Sequence, residues 1–300
     1  MKNQSLNEHA PVINEFKPDF IISLYPKIYA PLSLKIPHYL AITRSHEKVI
    51  GTYSRVIRKF QGFLSVPQNH EIFHKFFKDL PGNYPLIDWV PSVLRTRYKP
   101  LKYSRLFYAG TNWDALRSSK PYLKCFRYLA SFDLVDIYGP KFAWEKVGLV
   151  EFHKADLPYD GECFTNALTD CGIVLVLHSQ EHLEHGLISA RIFEAAAAGA
   201  VIISDRHSFV EKEFQDSVLY IDIDKDNKLS GEEMFRQIYN HLMWISENPE
   251  KAEKMARKAH AIFDQKFTLE AQLQMLGDFH EKHKPNHTFA FDPRRGIRAD

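Results

Sequence analysis

The chain has 300 residues and a mass of 34.9 kDa, which is too long for one ordinary hydrophobic core and suits two modest domains. Hydrophobic residues make up 45% and charged residues 25% of the chain, so the composition excludes extended disorder. The 39 Lys and Arg residues against 37 Asp and Glu residues give a net charge of +2, a bias too weak to indicate nucleic-acid binding.

The N-terminus and the cysteines indicate the compartment. The first ten residues, MKNQSLNEHA, lack the apolar core of a signal peptide. The longest apolar run, residues 172–177, is too short to span a bilayer. Cys125, Cys163 and Cys171 follow no metal or redox spacing. We therefore expect reduced thiols in a cytoplasmic protein whose membrane contact is at most peripheral.

Short apolar runs alternate with longer amphipathic stretches, which is typical of βαβ units around a buried parallel sheet. These runs predict strands at residues 20–24, 39–43, 62–66, 86–89, 106–109, 135–138, 147–152, 173–177, 201–204 and 218–221. Helices are predicted at residues 72–77, 120–130, 163–169, 191–198, 232–246 and 249–263. The fold class is therefore α/β.

A stretch with two prolines and several basic residues, residues 91–102, separates two series of strands and helices. We predict a small N-terminal domain at 1–95, a larger domain at 100–270, and a helix end with a tail at 271–300.

The segment from 172 to 205 predicts an anion site. A buried strand is followed by a polar loop, QEHLEHGLIS, then by the helix ARIFEAAAAG and a second buried strand. This order places the helix start at the carboxyl edge of a parallel sheet, where open α/β sheets bind ligands. Its free N–H groups, its dipole and Arg191 suit a phosphate, and Glu194 one turn deeper suits the two hydroxyls of a ribose. The alternative is a surface ion pair at helical spacing.

The stretch GLISARIFEAAAAGAVIISDRHSFVEKEFQDSVLYID resembles the donor-binding segment of group 1 glycosyltransferases, especially their CgeB-like subgroup. The resemblance covers about residues 100 to 280. It implies two Rossmann-like domains of the GT-B type, with a reduced N-terminal domain on the acceptor side. It also implies transfer of a sugar from a nucleotide diphosphate sugar to a hydroxyl acceptor, without a required cofactor or metal.

The resemblance also implies roles for single residues. Glu194 would hold the ribose, and Arg191 with the backbone from Gly186 to Ser189 would hold the diphosphate. In YAGTNWD, the loop residues Gly110, Thr111 and Asn112 would approach the phosphates, and Tyr138 and Gly139 would lie near the base. Many retaining members carry an E-x7-E pair. Its first position here is Gly186, with Glu184 two residues earlier, so neither retention nor inversion is assigned.

The N-terminal half of such proteins normally holds the acceptor, which here is a glycan, a lipid-linked saccharide or a protein. Residues 1–95 have room for about four strands and contain no Gly-rich loop. His46 follows a predicted strand and is the candidate general base, although a histidine in such a loop is more often simply exposed. A nucleotide-binding module without catalysis is therefore the first alternative function.

A second alternative is a Ca²⁺-binding interaction protein. Residues 222–233 fit the spacing of an EF-hand loop, with Asp222, Asp224, Asp226 and Glu233 at positions 1, 3, 5 and 12. The preceding residues predict a strand where an EF-hand needs a helix.

Three histidines could likewise form a zinc site. His178, His182 and His185 would be spaced as ligands on a helix, but we expect a loop there because Gly186 follows.

Overall fold

The structure is a computed structural model that describes residues 15–24, 36–43, 60–66, 85–111, 114–158, 160, 162–223 and 230–283. The chain divides into two compact units, one made of Met1–Val90 with Leu273–Asp300 and one made of Pro91–Gln272. No helix in the described ranges is long and apolar enough to cross a membrane. His46, Asn112, Asp224, Asp226 and the helix predicted at 72–77 lie outside the described residues.

The first unit contains a four-stranded parallel sheet. Its strands are β1 (Ile21–Ser23), β2 (His38–Ala41), β3 (Gly62–Ser65) and β4 (Leu86–Asp88), which lie in that order across the sheet. Tyr39, Leu64 and Ile87 form its core together with Leu276 from the last helix. The four strands predicted in this half of the sequence are therefore confirmed.

The second unit contains a six-stranded parallel sheet in the order β10-β9-β8-β5-β6-β7. Its strands are β5 (Arg105–Ala109), β6 (Val135–Tyr138), β7 (His153–Ala155), β8 (Gly172–Val176), β9 (Val201–Asp205) and β10 (Leu219–Ile221). β8 and β9 are buried along their whole length, as expected of central strands covered on both faces.

Nine helices accompany the strands in the described part of the chain. They are α1 (Lys120–Ser131), α2 (Lys141–Lys146), α3 (Cys163–Cys171), α4 (Gln180–His185), α5 (Arg191–Ala198), α6 (Ser208–Phe214), α7 (Gly231–Glu247), α8 (Pro249–Lys266) and α9 (Leu269–His283).

The strand order places a topological switch point beside β5. The chain leaves β5 for β6 and β7 on one side and later returns to β8, β9 and β10 on the other. Loops at the carboxyl ends of β5 and β8 therefore diverge and leave a crevice between them.

Helix α5 follows this crevice, and its residues explain how it packs. Ile192 and Phe193 are fully buried, and the small side chains of Ala195 and Ala196 let the helix lie close to its neighbours. Gly199 ends the helix at φ 77°, in the left-handed conformation that glycine adopts without strain. The sequence prediction for this helix is confirmed.

Two local predictions are wrong. Residues 147–152 are not a strand: Gly148 has φ 67°, residues Val150–Phe152 form a 3₁₀ turn, and the buried Leu149 packs into the core from this turn. The strand instead follows at β7. Its sequence, HKA, lacks the apolar run of a central strand, and β7 lies at the edge of the sheet. The polar loop before α5 contains a short helix, α4, because Ser179 caps its start and Gly186 ends it at φ 61°.

Candidate functional site

A cleft of about 1320 Å³ opens at the carboxyl edge of the six-stranded sheet, within the second unit. It is lined by the loops that follow four neighbouring strands and by the start of α5. These lining residues include Gly110 and Thr111 after β5, Gly139 and Pro140 after β6, Asp156–Pro158 after β7, Leu177 after β8, and Ser189–Arg191 with Glu194 on α5.

Arg191 is held in place by three contacts in the cleft wall. Its Nε donates to the carbonyl oxygen of Ala109 at 3.3 Å, and its Nη1 pairs with the carboxylate of Glu194. The guanidinium also lies 4.3 Å from the centre of the Phe164 ring, a cation–π contact. Three of its five N–H bonds remain without a partner among the described residues, so they are available to an anion.

Glu194 pairs with Arg191 at helical spacing. A simple surface ion pair, the alternative to a ligand site, would have the same spacing. The pair is nevertheless not on an open surface, because the side chains of Arg191 and Glu194 are only 33% and 20% exposed and both line the cleft. Only one carboxylate oxygen of Glu194 takes part in the pair, so the other can accept hydrogen bonds from a ligand.

The start of α5 has fewer free amides than the sequence suggests. The N–H of Arg191 is 3.4 Å from the Ser189 hydroxyl, and the N–H of Ile192 bonds to the Ser189 carbonyl at 3.3 Å. In the described part of the chain, the N–H groups of Ser189 and Ala190 have no protein partner. Both residues line the cleft, whereas Gly186 does not and instead ends α4.

Two glycines bring the first two loops of the cleft into contact. Gly139 has φ 122°, and a Cβ added there would lie 2.5 Å from the carbonyl oxygen of Gly110. No side chain fits between the loops, so backbone forms this part of the cleft floor. Tyr138 does not line the cleft, since its ring stacks on Phe107 at 5.0 Å within the sheet region.

Arg117 is a cleft residue that sequence reasoning missed. It lies in the turn before α1 and donates through Nε to Asp114, whose other oxygen accepts from the backbone N–H of Arg117 at 3.1 Å. Burial acts to raise the pKa of Asp114, but Arg117 outweighs it and holds that pKa below its usual range. The D-x-x-R spacing after a Gly-containing loop was the only available signal.

Two of the four residues of the calcium alternative, Asp222 and Glu233, lie in the described part of the chain. The segment 222–233 is preceded by β10 and not by a helix. Asp222 pairs with Arg206, and Glu233 lies in the first turn of α7 paired with Arg236. Among the residues that the structure describes, no three acidic, His or Cys side chains form a group able to hold a metal, and this includes His178, His182 and His185.

Solved structures of the same fold come from several bacteria. S. aureus TarM matches with a TM-score of 0.59 at 13% identity, over 91% of this chain and 57% of that chain. Sucrose-phosphate synthase from Thermosynechococcus elongatus matches with a TM-score of 0.60 at 10% identity, over 94% and 77%. Anabaena HepE in complex with UDP-glucose matches with a TM-score of 0.55 at 12% identity, over 93% and 84%.

The protein therefore spans less than two thirds of the TarM chain. These neighbours are GT-B glycosyltransferases with Rossmann-like domains, and the predicted fold class is confirmed. No curated protein sequence matches the chain. A family model described as glycosyl transferase-like matches residues 119–278, more than half of the chain, and the protein thus belongs to the glycosyl transferase-like family.

Proposed function

We propose that the protein transfers a sugar, in particular a hexosyl or related group, from a nucleotide diphosphate sugar to an acceptor hydroxyl. The observation that carries this proposal is the pairing of Arg191 with Glu194 inside the cleft at the switch point. An anion-binding group and a hydroxyl-binding group, one helical turn apart, match the diphosphate and ribose of one ligand.

Two arginines can neutralise the leaving diphosphate. Arg191 offers its remaining N–H bonds, Arg117 lines the same cleft, and the amides of Ser189 and Ala190 add donors without charge. Positive groups fixed before the reaction stabilise the charge that develops on a leaving group. We propose on this basis that transfer needs no metal or other cofactor.

The floor made by Gly110 and Gly139 favours a ligand that approaches backbone closely. Thr111 lies beside this contact and lines the cleft, which supports its proposed place near the phosphates. We propose that the base lies toward Gly139. The solved complexes of Anabaena HepE with UDP-glucose and of pneumococcal GtfA with UDP and GlcNAc make uridine nucleotides the first probes to try.

The finer assignments are part of the same proposal. We place the chain in the CgeB-like subgroup, in the cytoplasm and in glycan or polysaccharide assembly, with the division into 1–95, 100–270 and 271–300 as its domain plan. His46 remains the proposed general base. Gly186 offers no carboxylate, so we assign no stereochemical outcome.

Glu194→Ala tests the proposed function. We expect UDP and UDP-glucose to bind at least about tenfold more weakly, because the ribose hydroxyls lose a charged acceptor. Isothermal titration calorimetry gives the affinities, and turnover of UDP-glucose separates a transferase from a module that only binds.

The matched control is Glu253→Ala. Glu253 pairs with Arg257 within α8, outside the cleft, with an oxygen–nitrogen distance of 2.8 Å. This variant loses the same kind of pair and should bind normally. Equal affinities for the wild type and Glu194→Ala would contradict the proposal, as would a wild type that binds neither nucleotide.

A further inference from the structure

A buried histidine and carboxylate lie behind the cleft wall. His178 follows β8 and Asp205 ends the neighbouring strand β9, and neither is more than 2% exposed. The Nδ1 of His178 is 2.6 Å from one oxygen of Asp205, and the backbone N–H of His178 donates to the other oxygen at 3.0 Å. Asp205 therefore fixes both the backbone and the ring of His178.

This pairing decides which nitrogen of His178 carries its proton. A carboxylate accepts hydrogen bonds, so Nδ1 of His178 is the protonated nitrogen and Nε2 carries the lone pair. That Nε2 is fully buried and has no hydrogen-bond partner among the described protein atoms. His207 stacks on the same ring at 4.4 Å and closes one of its faces.

His182 lies between this pair and the cleft. Its ring lines the cleft and is centred 6.0 Å from that of His178. Its Nδ1 is buried without a protein partner, as is the lone pair of His178. Leaving either atom unsatisfied would cost about 1–3 kcal/mol. The two atoms make no direct hydrogen bond, and a water that accepts from Nδ1 of His182 and donates to Nε2 of His178 is an arrangement that satisfies both.

The same arrangement fixes the chemistry that His182 presents to a ligand. With the proton on its buried Nδ1, the other nitrogen, Nε2, carries a lone pair. It can therefore accept a hydrogen bond from a hydroxyl, but it cannot donate one to a phosphoryl oxygen.

We propose that His182 accepts a hydrogen bond from a hydroxyl of the transferred sugar, and that His178 and Asp205 are positioning residues that set its tautomer. This inference rests on the proposed function, because it adds a sugar contact to the nucleotide site. It goes beyond the nucleotide contacts, since UDP lacks the transferred sugar and the proposed partner of its ribose hydroxyls is Glu194.

The surroundings of His182 keep its ring uncharged, as an acceptor must be. The charged and titratable groups that face it are His178, Arg117, Glu181 and Asp205. Burial above all, together with the positive charge of Arg117, lowers the pKa of His182 to about 4.

The decisive experiment compares UDP with UDP-glucose in wild type and in His182→Ala. We expect His182→Ala to bind UDP normally and UDP-glucose about three- to tenfold more weakly, the worth of one hydrogen bond. His182→Gln, which can accept a hydrogen bond, should restore part of the loss. His185→Ala is the matched control, because it removes a histidine from the same helix without touching the cleft.

The outcomes separate this inference from the proposed function. A wild type that binds neither probe overturns both. A wild type that binds both, with equal losses for UDP and UDP-glucose in His182→Ala, overturns the sugar contact alone. No loss for either probe in His182→Ala also overturns it.

Nitrogen-15 spectra of the histidine rings test the positioning residues. We expect His178 to be protonated on Nδ1 at neutral pH, and the His182 signals to move on addition of UDP-glucose while those of His185 stay. Asp205→Asn should remove the fixed tautomer of His178 and reduce the preference for UDP-glucose. A His178 protonated on Nε2 in the wild type would overturn the assignment.

Discussion

A buried carboxylate lies at each end of the six-stranded sheet, but the two carboxylates have different partners. Near the amino ends of the strands, Asp136 accepts from Arg105 at 2.8 Å, pairs with Lys154, and lies 3.6 Å from the sulfur of Cys171. At the carboxyl ends, Asp205 pairs with His178, and Nε2 of that histidine has no hydrogen-bond partner in the described part of the chain.

The different surroundings of Asp136 and Asp205 indicate that the amino edge contributes to stability and the carboxyl edge to ligand binding. At the amino edge, Asp136 is paired with opposite charges on Arg105 and Lys154. At the carboxyl edge, polar atoms remain unsatisfied next to the cleft, which is where ligand-binding groups are expected in such sheets. Mutations at the amino edge should therefore change the free energy of unfolding, and mutations at the carboxyl edge should change the affinity for UDP.

Asp136→Ala should have the largest effect on stability. It leaves Arg105 and Lys154 beside a cavity without their shared partner, and we expect a loss of about 3 kcal/mol in the free energy of unfolding. Urea denaturation measures it, and UDP affinity should be unchanged. Asp133→Ala, which removes the exposed partner of Arg105, should cost less than about 0.5 kcal/mol. Weaker UDP binding in Asp136→Ala would break the comparison.

Gly139→Ala should damage both stability and binding. The added Cβ would meet the Gly110 carbonyl oxygen at a backbone angle that alanine disfavours, with a cost of about 2–3 kcal/mol. Separation of the two loops should also weaken UDP binding, measured by calorimetry. Gly277→Ala is the control, because no atom lies within 4 Å of its added Cβ. It should stabilise α9 by about 0.5–1 kcal/mol. Normal stability in Gly139→Ala would contradict the contact.

Lowering the pH should reduce the free energy of unfolding through His207 at the carboxyl edge. Burial lowers the pKa of His207 to about 3, against about 6.5 in the unfolded chain. The unfolded chain therefore binds more protons below about pH 6.5, and stability is lost as the pH falls toward 3. His207 alone should account for about 2 kcal/mol between pH 7 and pH 5.

Urea denaturation at the two pH values measures this loss, and His207→Gln should show a shallower dependence on pH than the wild type. An identical dependence in the two proteins would show that His207 is not the buried neutral group described here.

Arg117→Lys should have the smallest effect. The ammonium keeps the charge beside Asp114 but loses the planar fork, so we expect UDP affinity to fall only about three- to tenfold, with little change in the thermal midpoint. Arg257→Lys, on the surface of α8, is its control. A complete loss of UDP binding in Arg117→Lys would mean that the guanidinium binds the ligand through paired hydrogen bonds that lysine cannot make.

The sequence predicted those parts of the site that local order controls. Arg191 and Glu194 were found because their helix lies between two buried strands, and the strand order then fixes where its start must be. The sequence does not predict the pairing of His178 with Asp205, although the two residues lie at the carboxyl ends of neighbouring strands. The reason is that 27 positions separate them and neither is marked by periodicity.

Other parts depend on tertiary context. β7 has no apolar alternation, so only its pairing with β6 identifies it as a strand. Arg117 lies in a turn, where no repeating pattern points a side chain into a cleft. The short helix α4, capped by Ser179 and Gly186, formed within a stretch whose polarity predicted a loop.

We expect the ion pair between Arg191 and Glu194 to make the cleft favour composite ligands. The carboxylate already neutralises part of the guanidinium charge, so a simple anion such as inorganic phosphate gains only the remaining N–H bonds of Arg191. A ligand that carries an anion beside two neighbouring hydroxyls also uses the free carboxylate oxygen of Glu194. A preference for such a ligand over free phosphate thus follows from one turn of helix α5.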